Sequence, residues 1–360
     1  MSLIFFRVDS SQKIGSGHVM RCLALAEELR QLGKKVEFIV REHQGNVNQQ
    51  IVKKGFKVYS LFSPPVNKLK DLTGYEKWLG VKQDIDADEM IQVVKDRDIG
   101  WLIIDHYAID HNWEKRLRPF TKKIMVIDDL ANRHHDCDLL LDQNYIHNEK
   151  RYDNLITPKT IKLLGPKYAL LRKEFSENIK YYTRQNEIKK VFVFFGASDQ
   201  DNLTRLAINA LTQSKLKYLL VDVVIGSSNQ YHLEIEKELE THPNIKLHIQ
   251  VDNIAELMLK ADLALGSGGA STWERMALGL PSIVITFADN QVAFTRDLYK
   301  DKYINWLGNS YQVNEQIIYD ALLESINNSN QLQKQSQKCQ KLVNAKGAQI
   351  VSKLLDDWIS

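Results

Sequence analysis

Short apolar runs alternate with longer amphipathic segments along most of the chain. Ile4–Val8 and Trp101–Asp105 are examples of the apolar runs, and the segments between such runs repeat apolar residues with the period of a helix. Buried strands that alternate with helices are typical of parallel sheets, in which each connection crosses back over the sheet. The pattern therefore predicts an α/β fold.

The alternation appears in both halves of the chain. In the first half it predicts strands at Ile4–Val8, Val36–Val40, Val58–Leu61, Trp101–Asp105, Ile124–Ile127 and Leu139–Leu141 and helices at His18–Leu32, Val47–Lys54, Asp88–Asp96 and His111–Leu117. In the second half it predicts strands at Val191–Phe195, Leu219–Ile225, Ile245–Ile249, Leu263–Leu265 and Ser282–Ile285 and helices at Gln200–Thr212, Tyr231–Glu240, Ile254–Lys260, Ser271–Ala277 and Val292–Lys300. The last predicted helices are Asn314–Asn327, Gln331–Asn344 and Gly347–Trp358, with a loop at residues 327–331.

This repetition predicts two doubly wound parallel-sheet domains of similar size. We assign residues 1–180 to an N-terminal Rossmann-like domain and residues 181–360 to a C-terminal Rossmann-like domain that includes the last helices. The charged segment from Arg172 to Tyr182 is the predicted crossing between them, and residues 145–185 are otherwise expected to be irregular. Ligands of such sheets bind beyond the carboxyl ends of the strands, so we expect the domains to face a central cleft.

Composition narrows the class of protein. Among 360 residues, 48 Lys and Arg balance 45 Asp and Glu, and the net charge of +3 gives no reason to expect a nucleic-acid partner. No apolar run approaches the roughly 18 residues that a membrane helix needs, and the first residues do not resemble a signal peptide. Three cysteines fit neither a disulfide framework nor a zinc knuckle. We expect a cytoplasmic monomer with no membrane partner.

A loop with two glycines follows the first predicted strand. It runs from Asp9 to His18 and contains Gly15 and Gly17. Glycines let a backbone approach a ligand closely, and free N–H groups at the start of the next helix favour an anion. The spacing matches neither the dinucleotide fingerprint nor the P-loop. At a helix N-terminus His18 is favoured as a neutral, proton-accepting imidazole. The alternative is a turn in which the histidine only lies near a helix cap.

Polar residues also gather at the carboxyl end of the strand Trp101–Asp105. Asp105, His106 and Tyr107 follow one another there, where α/β proteins build their binding sites. The alternative is that Asp105 only caps the following turn.

The run His134-His135-Asp136-Cys137-Asp138 has the residue types of a metal site. Neighbouring side chains point apart in a strand or helix, and the run contains no pair of histidines at i and i+4. We therefore expect no metal at this run.

Two loops of small residues follow strands of the second half and lead into helices. They are Gly196, Ala197, Ser198 and Asp199 after the first strand and Gly268, Gly269, Ala270 and Ser271 after the fourth. Backbone N–H groups and helix N-termini on one sheet edge can together bind a diphosphate. These two loops are the predicted diphosphate site.

Side chains near the second of these loops could bind a sugar or a ribose. Glu274 stands three residues after Ser271, so it either completes a capping box or accepts both hydroxyls of a ribose. Asn290 and Gln291 offer neutral amide groups, which suit sugar hydroxyls or acetamido groups.

Taken in order, these motifs resemble the UDP-sugar hydrolases of pseudaminic acid biosynthesis. The resemblance is carried by Arg7–Ser11, Ile14–His18, Arg21, Ile103–Tyr107, Asp128–Asp129, His134–Leu141, Tyr168–Phe175, Phe195–Asp199, Ser271–Glu274 and Asn290–Gln291. Both small-residue loops depart from the usual family pattern, with Gly-Ala-Ser-Asp in place of Gly-Gly-Thr-Asp and a second loop richer in glycine. Residues 304–360 carry no motif that we can assign.

The resemblance implies a GT-B-like pair of Rossmann-type domains. It also implies hydrolysis of UDP-2,4-diacetamido-2,4,6-trideoxy-β-L-altropyranose to UDP and the free sugar, without a cofactor. By the same resemblance His18 is the general base, Tyr107 a further catalytic residue and Glu274 the ribose ligand. We assign substrate binding to Asp9, Gly17, Asp105, His106, Arg172, Asn290 and Gln291, and UDP binding to Gly196, Ala197, Ser198, Asp199, Gly268, Gly269, Ala270, Ser271 and Glu274.

The chemistry of the residues fits this scheme. A diphosphate is largely ionised at neutral pH, so it leaves without much proton donation, whereas water needs a base such as histidine. We therefore expect inverting cleavage of the C–O bond that does not depend on a metal. The main alternative is a GT-B glycosyltransferase that passes the sugar to an acceptor. A nucleotide-sugar-binding regulator and a UDP-N-acetylglucosamine 2-epimerase are the others.

Overall fold

The computed structural model describes residues 3–65, 70–177, 187–227 and 229–358. The chain divides into two compact units. The first consists of Met1–Arg172 together with Lys346–Ser360, and the second consists of Lys173–Ala345. The predicted boundary at 180/181 falls within residues 178–186, which lie outside the described residues.

The first unit is a parallel sheet with helices in its connections. Its elements are β1 (Leu3–Val8), α1 (Gly17–Gln31), β2 (Lys35–Arg41), α2 (Asn48–Lys53), β3 (Lys57–Leu61), α3 (Glu76–Leu79), α4 (Gln83–Val94), β4 (Ile99–Asp105), α5 (His111–Leu117), β5 (Thr121–Ile127), β6 (Leu139–Asp142) and β7 (Ile161–Leu164). The strands lie in the order β3-β2-β1-β4-β5-β6-β7, and neighbouring strands are parallel.

Both faces of this sheet are buried. Ile4, Phe6 and Val8 of β1 join one hydrophobic cluster, and Leu3 and Phe5 join another. Successive side chains of a strand point to opposite faces, so a strand covered on both sides is apolar at most positions. This explains why β1 is apolar except at Arg7, whose buried side chain pairs with Asp9 and Asp86.

The second unit repeats the architecture. Its elements are α6 (Lys173–Glu177), β8 (Lys190–Phe194), α7 (Leu203–Leu211), β9 (Leu220–Ile225), α8 (His232–Leu239), β10 (Ile245–Ile249), α9 (Ile254–Lys260), β11 (Leu263–Ser267), α10 (Ser271–Ala277), β12 (Ser282–Thr286), α11 (Asp289–Lys300), β13 (Asn305–Asn309), α12 (Glu315–Asn327) and α13 (Ser329–Leu342). The strand order is β10-β9-β8-β11-β12-β13, again with parallel neighbours.

The last helix, α14 (Gly347–Asp357), returns to the first unit. The indole of Trp358 stacks on that of Trp101 with a centroid distance of 5.7 Å, and Trp101 donates its indole N–H to the carbonyl of Leu355 at 3.0 Å. The prediction that residues 181–360 form one domain therefore needs correction. The apolar face of α14 completes the core beside β4 rather than a core of the second unit.

Other differences from the sequence prediction are local. The stretch expected to be irregular contains β7, and the helix predicted at Asp88–Asp96 is α4, which begins five residues earlier. The loop expected at residues 327–331 shrinks to Asn328, because α13 begins directly after it. Among the described residues no helix is long and apolar enough to cross a membrane.

Candidate active site

The first site is built on His18 and Asp105. His18 lies in the first turn of α1, and Asp105 is the last residue of β4, so the order of the sheet places both at one edge. The Nδ1 atom of His18 is 2.6 Å from Oδ1 of Asp105. Arg21 lies one turn further along α1 and donates to both carboxylate oxygens of Asp105, from Nε and Nη2, at 2.6 Å each.

The charges of this group determine which nitrogen of His18 carries the proton. Burial by itself would raise the pKa of Asp105, but the charge of Arg21 and the contact with His18 hold it well below its ordinary value. An ionised carboxylate only accepts hydrogen bonds, so the proton of neutral His18 lies on Nδ1. The Nε2 atom is then left as a proton acceptor, which is the form that a general base requires.

An aromatic side chain packs against the imidazole of His18. Tyr107 meets the ring of His18 edge-on, with centroids 4.8 Å apart, and stacks on Trp78 at 5.4 Å. Burial, followed by the nearby carboxylate of Asp129, raises the pKa of Tyr107 well above its ordinary value. Tyr107 is therefore a neutral phenol that packs against His18.

Asp9 and His106 belong to a neighbouring, fully buried network. The Oδ1 atom of Asp9 accepts from Nη1 of Arg7 and from the backbone N–H of Arg41, both at 2.6 Å. Burial opposes ionisation of Asp9, but the charge of Arg7 holds its pKa well below the ordinary value. Burial lowers the pKa of His106 to about 3, so this imidazole is neutral.

Three polar atoms of this network converge without a hydrogen-bond partner in the described part of the chain. The Nε2 atoms of His106 and His43 lie 3.4 and 3.7 Å from Oδ2 of Asp9. The sequence singled out Asp9 and His106 but not His43, which follows β2 without any motif. All three atoms are buried, and Oδ2 of Asp9 lies between the two imidazole nitrogens at these distances.

Two further residues of the first unit were predicted to bind substrate, Gly17 and Arg172. Gly17 is the first residue of α1 and directly precedes His18. Arg172 is half-buried at the end of the first unit.

In the second unit, Asp199 has a structural role that the sequence did not predict. Its carboxylate accepts from the backbone N–H groups of Leu203 and Thr204 at 3.0 and 2.8 Å, so it caps α7. Burial raises the pKa of Asp199 above its ordinary value despite these bonds. The expectation that the N-terminus of α7 offers free donors to a diphosphate is therefore wrong at these two groups. Gly196, Ala197 and Ser198 remain half-buried beside it.

The second small-residue loop packs closely against α11. A Cβ atom on Gly268 would lie 2.6 Å from Oγ1 of Thr295, whereas one on Gly269 would meet nothing nearer than 3.7 Å. Gly268 is therefore required for the close approach of the loop to the helix. Ala270 is exposed, and Ser271 begins α10.

The capping-box interpretation of Glu274 is not supported. Ala270 is the N-cap of α10, and this helix has no side-chain cap in the described structure. Glu274 is half-buried in the first turn. Gln291 is buried and accepts from the backbone N–H of Phe287 at 3.2 Å, while Asn290 is half-buried beside it.

The run of residues 134–138 makes polar contacts within the first unit, and Asp136 and Asp138 form ion pairs with Arg118. His135 is buried, and its Nδ1 lies 2.6 Å from Oε1 of Glu114, whose other oxygen accepts from the backbone of Asp136. Throughout the described ranges no group of three His, Cys, Asp or Glu side chains is placed to hold a metal ion.

Several residues of these sites were not predicted from the sequence. Trp78 lies in the short helix α3 and Arg275 is buried in α10, and neither belongs to a recognisable motif. Asp129 was noted only as part of a motif, yet its carboxylate is 3.2 Å from Nη1 of Arg21. The helix that holds Arg275 reads Ser-Thr-Trp-Glu-Arg-Met-Ala, in which polar residues are frequent, so the sequence held no signal for this arginine.

Comparisons with known proteins agree with this architecture. Residues 190–351 match the glycosyltransferase family 28 C-terminal domain. The chain is 29% identical to the UDP-2,4-diacetamido-2,4,6-trideoxy-β-L-altropyranose hydrolase of Campylobacter jejuni over 83% of this chain and 97% of that protein. It is also 28% identical to an uncharacterized protein of Methanocaldococcus jannaschii over 81% of this chain, but it spans only 56% of that relative's length.

Solved structures share the fold at low sequence identity. MurG of Acinetobacter baumannii superposes with a TM-score of 0.62 and 13% identity, covering 99% of this chain and 100% of that one. The UDP-GlcNAc 2-epimerase of Neisseria meningitidis bound to UDP-GlcNAc gives a TM-score of 0.66 and 11% identity, covering 99% and 100% of the two chains. The fold is therefore GT-B-like, and the predicted resemblance of the chain to the UDP-2,4-diacetamido-2,4,6-trideoxy-β-L-altropyranose hydrolases is confirmed.

Proposed function

We propose that this protein is a UDP-sugar hydrolase in which His18 activates water. The observation that carries the proposal is the contact between His18 and Asp105, which leaves Nε2 of His18 as a proton acceptor at the sheet edge. The substrate we propose is UDP-2,4-diacetamido-2,4,6-trideoxy-β-L-altropyranose, as the similarity to the Campylobacter jejuni enzyme suggests. Its products are then UDP and the free sugar, and the process served is pseudaminic acid biosynthesis.

The reaction we propose breaks the bond between C1 of the sugar and the diphosphate oxygen. Nε2 of His18 takes a proton from water as the water oxygen bonds to C1, and the bonding electron pair leaves with UDP. Attack opposite the leaving group inverts the anomeric centre. Because UDP is a stable anion, this scheme needs no bound metal, and we expect activity to survive a chelator such as EDTA.

UDP is proposed to bind the second unit. Its diphosphate would lie against Gly268–Ser271 and the loop Gly196–Ser198, with the ribose on Glu274. Support comes from the small side chains of both loops and from the UDP-GlcNAc bound by the structurally similar Neisseria meningitidis epimerase. Asn290 and Gln291 are proposed to contact the sugar.

A second candidate function is transfer of the sugar to an acceptor. It is favoured by the match of residues 190–351 to a glycosyltransferase family domain. The two functions differ in whether water alone suffices as the acceptor.

The test is an NMR assay of the purified protein with the UDP-sugar and no acceptor. We expect UDP and free sugar in equal amounts, and in ¹⁸O-water we expect the label in the sugar. Label in UDP would show cleavage of the P–O bond and would contradict the role given to His18. Release of UDP only after an acceptor is added would favour the transferase.

A further inference from the structure

A fully buried arginine lies directly behind the loop that we assign to the diphosphate. Arg275 is 0% exposed and sits one turn after Ser271 on α10. Its Nη1 donates to Oγ of Ser271 at 3.0 Å, and its Nη2 donates to the carbonyl of Ser267 at 2.8 Å and to Oγ1 of Thr272 at 3.2 Å. Its Nε donates to Oγ of Ser282 at 3.1 Å. Every one of these acceptors is a neutral oxygen.

Arg275 has no carboxylate partner among the described residues. It takes part in none of their hydrogen bonds to Asp or Glu, and the carboxylate that acts on it is that of its chain neighbour Glu274, through charge alone. Burial lowers the pKa of Arg275 to about 10, so it is still a cation at neutral pH. A buried charge is costly unless it is paired. A bound anion would provide the missing counter-charge.

The hydroxyl groups around Arg275 differ in where their own protons go. Thr272 donates to the carbonyl of Ser267 at 3.3 Å, and Ser282 donates to the carbonyl of Leu280 at 2.9 Å. Ser271 accepts from Arg275, but no acceptor for its proton is found in the described part of the chain. A hydroxyl has a single proton to donate, and that of Ser271 is directed away from the guanidinium. The hydroxyl of Ser271 can therefore donate its proton to a ligand at the loop.

The loop itself is held in place from beneath. Gly268 approaches α11 so closely that a Cβ atom would clash with Thr295, and the carbonyl of Ser267 is fixed by Arg275. Donors that are already in position need no rearrangement when an anion arrives.

We propose that Arg275 is a positioning residue for the nucleoside diphosphate, which it holds by its charge and through the hydroxyl of Ser271. This rests on the proposed function, because it assumes that UDP binds at Gly268–Ser271. Arg275 does not touch the ligand in this scheme. Its contribution grows with the number of phosphate charges at the loop.

The test compares how tightly Arg275→Met, Arg275→Lys and the unaltered protein bind UDP, UMP and uridine, by calorimetry or NMR titration. We expect Arg275→Met to weaken UDP binding by roughly 10–100-fold, to weaken UMP binding less and to leave uridine binding almost unchanged. Arg275→Lys keeps the positive charge, so it should recover much of the lost UDP affinity. Lys237→Met, which removes an exposed charge of α8, is the control and should change none of the three. An equal loss for all three ligands, without recovery by lysine, would mean that Arg275 only supports the fold.

A matched pair of serine variants tests whether Arg275 acts through the hydroxyl of Ser271, even if Arg275→Met does not fold. Ser271→Ala and Ser282→Ala each remove one acceptor from Arg275, but only Ser271 is proposed to donate to phosphate. We expect Ser271→Ala to weaken UDP binding about tenfold and Ser282→Ala by less than about threefold. Equal effects would overturn the proposal. If the unaltered protein binds no UDP, the proposed function fails as well, whereas UDP binding that is insensitive to Arg275 contradicts this inference alone.

Discussion

The two units handle buried charge in opposite ways. In the first unit, buried arginines meet buried carboxylates: Arg21 pairs with Asp105 at 2.6 Å, and Arg7 pairs with Asp86 at 2.6 Å. In the second unit, buried Arg275 meets hydroxyl and carbonyl oxygens only. Buried guanidinium groups therefore pair with carboxylates in the first unit, whereas in the second unit the guanidinium of Arg275 has only neutral hydrogen-bond partners.

This difference corresponds to the chemistry that we propose for each unit. A neutralised network exerts little attraction on an anion, but its ionised carboxylates fix the orientation and protonation of a neighbouring imidazole. A cation without a counter-charge attracts an anion and does not itself exchange protons at neutral pH. The contrast assigns proton transfer to the first unit and anion binding to the second, and the following predictions test that assignment.

The largest effect is expected from removing the base. His18→Ala should lower kcat by on the order of 10²–10⁴, because water then loses its proton acceptor, while the affinity for UDP changes little. Steady-state rates and UDP titrations measure the two quantities separately. His147→Ala, at an exposed histidine of the same unit, should leave both unchanged. A parallel loss of UDP affinity in His18→Ala would contradict the division between the units.

Asp105→Asn should lower kcat by about 10², the lower end of what a positioned base contributes. The amide can donate to Nδ1 of His18, which moves the imidazole proton to Nε2 and blocks proton acceptance there. Asp98→Asn changes an exposed carboxylate at the other end of β4 and serves as the control. An unchanged rate in Asp105→Asn, with the fold intact by circular dichroism, would show that the carboxylate does not orient the base.

The sequence predicted those parts of the fold and site that depend on local pattern. β1 and β4 are mostly apolar, with Arg7 the one charged residue of β1 and Asp105 the last residue of β4. The ends of these strands, and with them His18 and Asp105, could be predicted to lie at one sheet edge. β7 (Ile161–Leu164) was missed because this edge strand has a lysine and only one fully buried residue. The return of α14 to the first unit depends on the fit of Trp358 against Trp101, which no local pattern encodes.

The site residues, like the fold, could be predicted from the sequence only where a local pattern marks them. Residues that follow strands could be found, because parallel strands end at a common edge. Residues whose contacts form only on folding could not be found. Arg275 lies in a helix of mixed polar and apolar residues, and Asp199 has the position of a loop carboxylate until α7 packs against it. The partners of Asp199 are backbone N–H groups, and those of Arg275 are hydroxyl and carbonyl oxygens that no charge pattern marks, so their roles appear only in the folded chain.

In the second unit, Glu274→Ala should weaken UDP binding by roughly 1–3 kcal/mol, because a carboxylate that accepts ribose hydroxyls is lost. Unlike Arg275→Met, this variant should weaken uridine and UDP alike, since both carry the ribose. Calorimetry with the two ligands separates these patterns. Glu256→Ala, at an exposed glutamate of α9, is the matched control. UDP affinity that does not change in Glu274→Ala would remove the ribose assignment.

The smallest expected effect concerns stability and belongs to the first unit alone. Burial lowers the pKa of His106 from an ordinary value of 6.5 to about 3, so between these values the unfolded chain binds a proton that the folded chain does not. The stability that this adds is present above about pH 6.5 and is lost as the pH falls toward 3, with a slope of up to about 1.4 kcal/mol per pH unit.

The test is the free energy of unfolding of the protein and of His106→Gln, measured with denaturant at pH 7.5, 6 and 5. We expect the glutamine variant to lose less stability on acidification, because it has no proton to gain on unfolding. His242→Gln alters a half-buried histidine of the second unit, and its curve should follow that of the unaltered protein. If His106→Gln also gives a parallel curve, His106 is not held neutral by burial, and the buried network at Asp9 is more open to water than its contacts indicate.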